Sequence, residues 1–129
     1  MKTETIRCRA LMVGDWCCDS HGFPMRVTNV GDDYAYATFE GNEGDPWEFD
    51  DKDNQPQPIA LTPEILEKNG WLNFIDDLWL HEEVSFYIEK LNGRFQCYDI
   101  NQIKLDSVNQ LQQTLRLCGL NELADNFKI

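Results

Sequence analysis

The chain has 129 residues, 42% hydrophobic and 12% aromatic, the size and composition of one globular domain rather than of a disordered segment. Its 23 acidic residues outnumber 11 basic ones and give a formal charge of −12. That balance argues against direct binding to nucleic acid or an anionic membrane, both of which are held through Lys and Arg, and leaves a basic protein partner, a cation or plain solubility.

Taken in chain order, Met1 to Thr5 leads into no apolar stretch of the secretory kind, and no later run reaches the length of a membrane span. A cytoplasmic protein is expected. There its five cysteines (Cys8, Cys17, Cys18, Cys97, Cys118) stay reduced and serve mostly as small core hydrophobes. Val13 to Cys17 reads as a strand that runs into a polar turn at Asp19-Ser20-His21-Gly22. Met25 to Val30 is a second run, turned by Gly31-Asp32-Asp33. Tyr34 to Phe39 then alternates, with Tyr34, Tyr36 and Thr38 on one face and Ala35, Ala37 and Phe39 on the other. Short strands at this spacing predict a small curled antiparallel sheet or SH3-like β-barrel.

Residues 40–57 interrupt that pattern. Glu40, Glu43, Asp45, Glu48, Asp50, Asp51 and Asp53 share the stretch 40–53 with one base, Lys52, so a long loop with a short strand around Trp47 is expected. Ile59 to Leu61 returns to the sheet. Thr62 then supplies an N-cap, Pro63 suits the first helical position, and Glu64 faces the positive end of the dipole. Leu61 and Leu66 stand where a hydrophobic staple would place them, and Asn69-Gly70 ends this short helix.

Further strands follow. Val84, Phe86 and Ile88 alternate with Ser85, Tyr87 and Glu89, and Asn92-Gly93 is a strong hairpin signal leading into a return strand, Arg94 to Ile100. Ser107 and Gln110 form a capping box for the last helix. Val108, Leu111, Leu115 and Cys118 make its apolar stripe, and Gly119 with Leu120 fits a Schellman ending. The tail to Ile129 has room for a last turn or edge strand. The whole is expected to be one α+β domain with one shared core: strand-rich over 7–61, helical over 62–70, strands over 71–104, and a C-terminal helix over 107–118.

Chemical motifs fail at named positions. His81-Glu82-Glu83-Val84-Ser85 resembles the zinc-protease H-E-x-x-H, but Ser85 stands where the second His is required. Cys17, Cys18 and His21 cluster in sequence, yet neighbours on a strand point to opposite faces, so a core thiol and a turn histidine are the simpler reading. Asp51-Lys52-Asp53-Asn54-Gln55 opens like a calcium loop, but Pro56 replaces the required Gly and Thr62 the closing Glu. No catalytic, metal or cofactor site is assigned. With 23 acids, nominating a catalytic carboxylate pair would carry no information. One candidate surface remains, made of Trp47, Glu48, Asp50, Asp51 and Asp53, as a contact for a partner protein with a basic surface. Against it stands the plainer reading, a loop pinned to the domain by its own Trp.

Three ordered motifs carry a resemblance. Leu11-Met12-Val13-Gly14-Asp15-Trp16 looks like L-R-I-G-N-[WY]. Pro58 to Leu66 with Lys68-Asn69-Gly70-Trp71 looks like P-I-P-L-T-x-E-x-L…K-x-G-[FW]. Val108-Asn109-Gln110-Leu111-Gln112 and Leu115-Arg116-Leu117-Cys118-Gly119 resemble V-H-Q-L-Q…L-R-L-C-G. Together they resemble a family of small uncharacterised proteins of Bacteroides-type bacteria, often encoded near prophage or other mobile elements. Asn109 departs from that pattern, which has His there. The resemblance implies a context and no reaction, and each motif residue also reads as a turn, cap or core position. The expectation is therefore a non-enzymatic accessory or protein-interaction module. The alternatives are an acidic nucleic-acid mimic and a small-molecule enzyme or sensor with a pocket between the front sheet and the last helix.

Overall fold

A computed structural model describes residues 4–98 and 103–129. After a 3₁₀ turn at Cys8–Ala10, four strands form the first sheet: β1 (Trp16–Cys18), β2 (Pro24–Val30), β3 (Tyr34–Thr38) and β4 (Trp47–Asp50). They pair in sequence order as an antiparallel meander. Helix α1 (Pro63–Lys68) leads to a second meander of β5 (Trp71–Ile75), β6 (Leu78–His81), β7 (Ile88–Leu91) and β8 (Arg94–Cys97). Helices α2 (Val108–Leu117) and α3 (Asn121–Asp125) close the chain. The α+β class is as expected. Neither meander pairs its own first and last strands; the first only bends back so that Gln57 exchanges both backbone hydrogen bonds with Cys18, each 2.9 Å.

Local chemistry explains the helix ends. Thr62 Oγ1 accepts from the Ile65 N–H at 3.2 Å, which satisfies an otherwise orphaned donor of α1. At α2 the capping box forms, with Gln110 Oε1 accepting from the Ser107 N–H at 3.1 Å. Gly119 takes the left-handed conformation, and the Leu120 N–H reaches the Leu115 carbonyl at 2.9 Å while the Gly119 N–H reaches that of Arg116 at 3.0 Å. That is the Schellman ending. The Asn92-Gly93 turn also has positive φ at both residues.

Several strand expectations are corrected. Val13 and Gly14 form a turn, so β1 begins only at Trp16. Ile59 to Leu61 form no strand; the return to the sheet is the single bridge at Gln57. Val84 and Phe86 precede β7 rather than belonging to it. His81 Nδ1 accepts from the Glu83 N–H at 3.0 Å and the Val84 N–H at 3.3 Å, taking those donors out of any ladder, and the Phe86 carbonyl accepts from Trp71 Nε1 at 3.0 Å. An Nδ1 that accepts carries no proton, so Nε2 is the donor to the Asn69 carbonyl at 2.8 Å. The last residues of the expected return strand, Asp99 and Ile100, lie outside the described residues.

The expected single core is corrected to two apolar clusters. One lies on the first sheet around Cys8, Met25, Val27 and Phe49. The other joins the inner face of the second sheet to the helices, around Trp71, Ile88, Leu111 and Phe127. Between them runs a polar joint. Asp15 is fully buried; its Oδ1 meets Arg116 Nη1 at 2.6 Å, and its Oδ2 accepts from the Met12 N–H at 2.9 Å and Gln113 Nε2 at 2.7 Å. Gln112, also fully buried, accepts from the Trp16 N–H at 2.8 Å and donates to the carbonyls of Gly14 and Ala124 at 2.9 and 3.0 Å. Trp16 Nε1 donates to the Phe127 carbonyl at 2.7 Å.

Gly70 couples α1 to the second sheet. Its φ is +96°, and a Cβ there would stand 2.6 Å from His81 Nε2, the atom that bonds Asn69. Gly70→Ala is expected to lower stability by about 1–3 kcal/mol, the usual cost of left-handed strain before the clash is added. Urea denaturation checks it; a variant within ~0.5 kcal/mol of the parent would contradict the tight packing described.

Candidate functional site

The acidic segment does not form one surface. In β4, Glu48 lies opposite Tyr36 and Asp50 opposite Tyr34, while Phe49 lies opposite the buried Ala35 and Trp47 opposite Ala37. Alternation therefore puts Glu48 and Asp50 on the outer face with the two tyrosines, and Trp47 on the inner side at the sheet margin. Trp47 stays 41% exposed with its ring edge-on to Phe49 at 6.5 Å, so it does not pin the loop by burial, and that plainer reading is corrected.

The three predicted aspartates separate further. Asp50 Oδ1 accepts from the backbone N–H groups of Lys52, Asp53 and Asn54 at 2.8, 2.8 and 3.2 Å, so it organises the turn after β4. Those three donors favour the carboxylate and hold the Asp50 pKa below its ordinary value. Asp51 Oδ1 accepts from the Cys8 N–H at 2.8 Å and ties the 3₁₀ turn to the first sheet. Asp53 is exposed. Two of the five expected contacts, Asp50 and Asp51, thus do structural work.

The residues that sequence reasoning left unassigned are Tyr34 and Tyr36. Their rings meet edge-to-face at 5.6 Å on the outer face of β3. Tyr34 is also seated by its turn: a Cβ at Gly31 would fall 2.1 Å from the Tyr34 ring, so only glycine lets the ring lie on the backbone there. The alternation of Tyr with Ala announced these faces; what it could not announce is that Tyr34 stays exposed and Tyr36 only half-buried among the described residues.

A concave site of about 480 Å³ opens between the N-terminal segment, Pro58, Ala60 and the start of α2. Arg7, Arg9, Asn109, Gln110 and Gln113 line it. It lies beside the start of α2, and none of its lining residues belongs to β1–β4, so it is not the expected pocket between the front sheet and the last helix. Its polar groups are already occupied in part: Asn109 Oδ1 accepts from Ser107 Oγ at 2.7 Å, and Gln113 Nε2 donates to Asp15 and to the Ala10 carbonyl.

Cys8, Cys17 and Cys18 are held as poor nucleophiles. Burial first, and then the Asp51 carboxylate beside it, pushes the Cys8 thiol up to about 12; burial likewise raises Cys17 and Cys18. Cys18 Sγ faces the carbonyls of Gln57 and Pro58. Cys118, expected in the buried stripe of α2, is exposed, because the helix ends there and the chain turns away at Gly119. Among the described residues no three His, Cys, Asp or Glu side chains gather as a metal would require. No described helix is long and apolar enough to cross a membrane.

No family model, curated protein or solved structure matches the chain.

Brief treatment of the native protein with a maleimide at neutral pH should modify Cys118 alone, and peptide mass mapping would show it. Equal modification of Cys8 or Cys17 without denaturant would contradict their burial and raised thiol pKa.

Proposed function

We propose that the protein is a non-enzymatic interaction module whose outer β3–β4 face binds a partner protein through a basic, partly apolar surface. The observation that carries this is the pairing of Tyr34 and Tyr36, ring against ring, with Asp50 and Glu48 directly across the strands. Tyrosine offers a rigid apolar body with a polar tip, and the flanking carboxylates favour Lys or Arg from the other side. Seating on Gly31 fixes Tyr34 before binding, so little side-chain entropy is lost there.

We read the first sheet as a small barrel of SH3-like type, with the Cys18–Gln57 bridge as its narrow closure. The resemblance to a family found near mobile elements would make the partner a bacterial or phage protein. The acidic-mimic alternative is weaker: it needs a continuous row of free carboxylates, and Asp51, whose Oδ1 is spent on the Cys8 N–H, interrupts the row between Asp50 and Asp53. The enzyme-or-sensor alternative draws on the groove beside Arg7 and Arg9, which would suit a small anion.

A synthetic peptide of alternating arginine and leucine serves as the probe, titrated by calorimetry and by amide chemical-shift mapping. The wild-type chain should bind it with shifts centred on β3 and β4. Tyr34→Ala/Tyr36→Ala, which leaves the charge unchanged, should weaken binding about tenfold. Equal affinity in that variant, or shifts spread over the whole acidic surface, would reduce the interaction to bulk charge and refute the proposal.

A further inference from the structure

The second sheet has a face that the first does not resemble. Its register sets Leu72 against Leu80, Ile75 against Leu78, Leu78 against Glu89, Glu89 against Gln96 and Leu91 against Arg94. Tyr87 and Tyr98 continue the same side, joined through the Tyr98 N–H to the Tyr87 carbonyl at 2.9 Å with ring centroids 6.3 Å apart. The opposite side carries Trp71, Trp79, Ile88, Phe95 and Cys97, all buried in the core that meets the helices. Both sides of this sheet are therefore largely apolar. An antiparallel sheet with one face in water normally alternates apolar with polar residues, so the outer face has the composition of a covered one.

Its size and charge indicate the cover. Leu72, Phe74, Ile75, Leu91 and Tyr98 are each half exposed or more, Phe74 at 69%. At roughly 200 Å² for a large side chain, they offer on the order of 500 Å² of apolar surface. Two such faces brought together remove about 1,000 Å², the threshold for a specific interface, before half-buried Leu78, Leu80 and Tyr87 are added. Among the described residues, Glu89 and Arg94 on the face offset each other, and Lys104, bridged to Gln96, adds one exposed base at the β8 margin. The dense acid of 40–53 belongs to the other sheet. A two-fold pairing of this face can set Glu89 of one copy near Arg94 of the other, and it need not oppose like charges in spite of the overall −12.

We infer that the outer face of the second sheet is the interface of a homodimer. This is independent of the tyrosine surface of β3, which stays free in such a dimer to meet a different partner.

Sedimentation equilibrium of the full chain tests it. The wild-type protein should sediment at twice the 15.0 kDa chain mass at micromolar concentration, more tightly at high salt, because salt screens the net repulsion while strengthening apolar burial. Leu72→Glu/Ile75→Glu changes two exposed side chains, so circular dichroism should stay native while the dimer weakens about 100-fold or more. Tyr34→Ala/Tyr36→Ala should leave the dimer intact. A second measurement avoids dependence on any variant: in a mixed isotope-labelled wild-type sample, methyl groups of Leu72, Ile75 and Leu80 should show intermolecular NOEs. A wild-type monomer up to millimolar concentration, or a dimer whose intermolecular NOEs come from other residues, would overturn the inference.

Discussion

The fold depends on one buried constraint, the anchoring of the Gly14–Trp16 backbone to α2 by Gln112 and by the Asp15–Arg116 ion pair. The two sheets share no strand and their buried apolar clusters are separate, with Trp16 of β1 packed against the second, so apolar burial between them is narrow. The joint holds them together at a stiff energetic penalty for failure. A carboxylate removed from water must keep its partners, and losing one side of such a pair costs about 3–5 kcal/mol. Both Asp15 oxygens meet donors of α2, Arg116 and Gln113, and Oδ2 also accepts from the Met12 N–H of its own turn. Arg26 strengthens the same region, donating to the Gly14 and Asp125 carbonyls with its guanidinium 5.3 Å from the Trp16 ring centroid.

This constraint gives the quoted motifs a physical meaning. Gly14, Asp15 and Trp16 of the first motif meet Gln112 and Arg116 of the third in space. Asn69 of the second bonds the Ile65 carbonyl and both the N–H and the carbonyl of Lys128. Ala60 bridges to Ser107. Several motif residues are thus places where distant segments are fastened together, which is why they read as fold signatures.

What was legible in the sequence was local. Thr62-Pro63, Ser107 with Gln110, Asn92-Gly93 and Gly119 each act within one turn of chain, and each behaves as its residue type requires. What was not legible required a long-range partner. Val84 and Phe86 have strand-like alternation, but the Val84 N–H goes to His81 Nδ1 and the Phe86 carbonyl to Trp71 Nε1. The acidic segment looked like one patch because composition ignores pleat; β4 turns Glu48 and Trp47 to opposite sides. Asp15 and Gln112 looked like ordinary polar residues, since nothing local marks a carboxylate or an amide as fully buried. The tyrosine face and the apolar face of the second sheet were hidden for the same reason: pattern shows that a strand has two sides, while only the assembled sheets show which sides remain uncovered.

The central claim, that one buried joint makes two sheets a single cooperative unit, is tested most directly by amide hydrogen exchange of Gln112→Met. The substitution keeps the volume but leaves the Trp16 N–H without its acceptor and takes one donor each from the Gly14 and Ala124 carbonyls, at a cost of about 1–3 kcal/mol. If the joint unites the fold, protection falls by the same free energy in β3 of the first sheet and in β6 and β7 of the second. Loss confined to the Gly14–Trp16 and Leu120–Phe127 segments, with β6 and β7 as protected as before, would show two sheets that stand independently and would contradict the account.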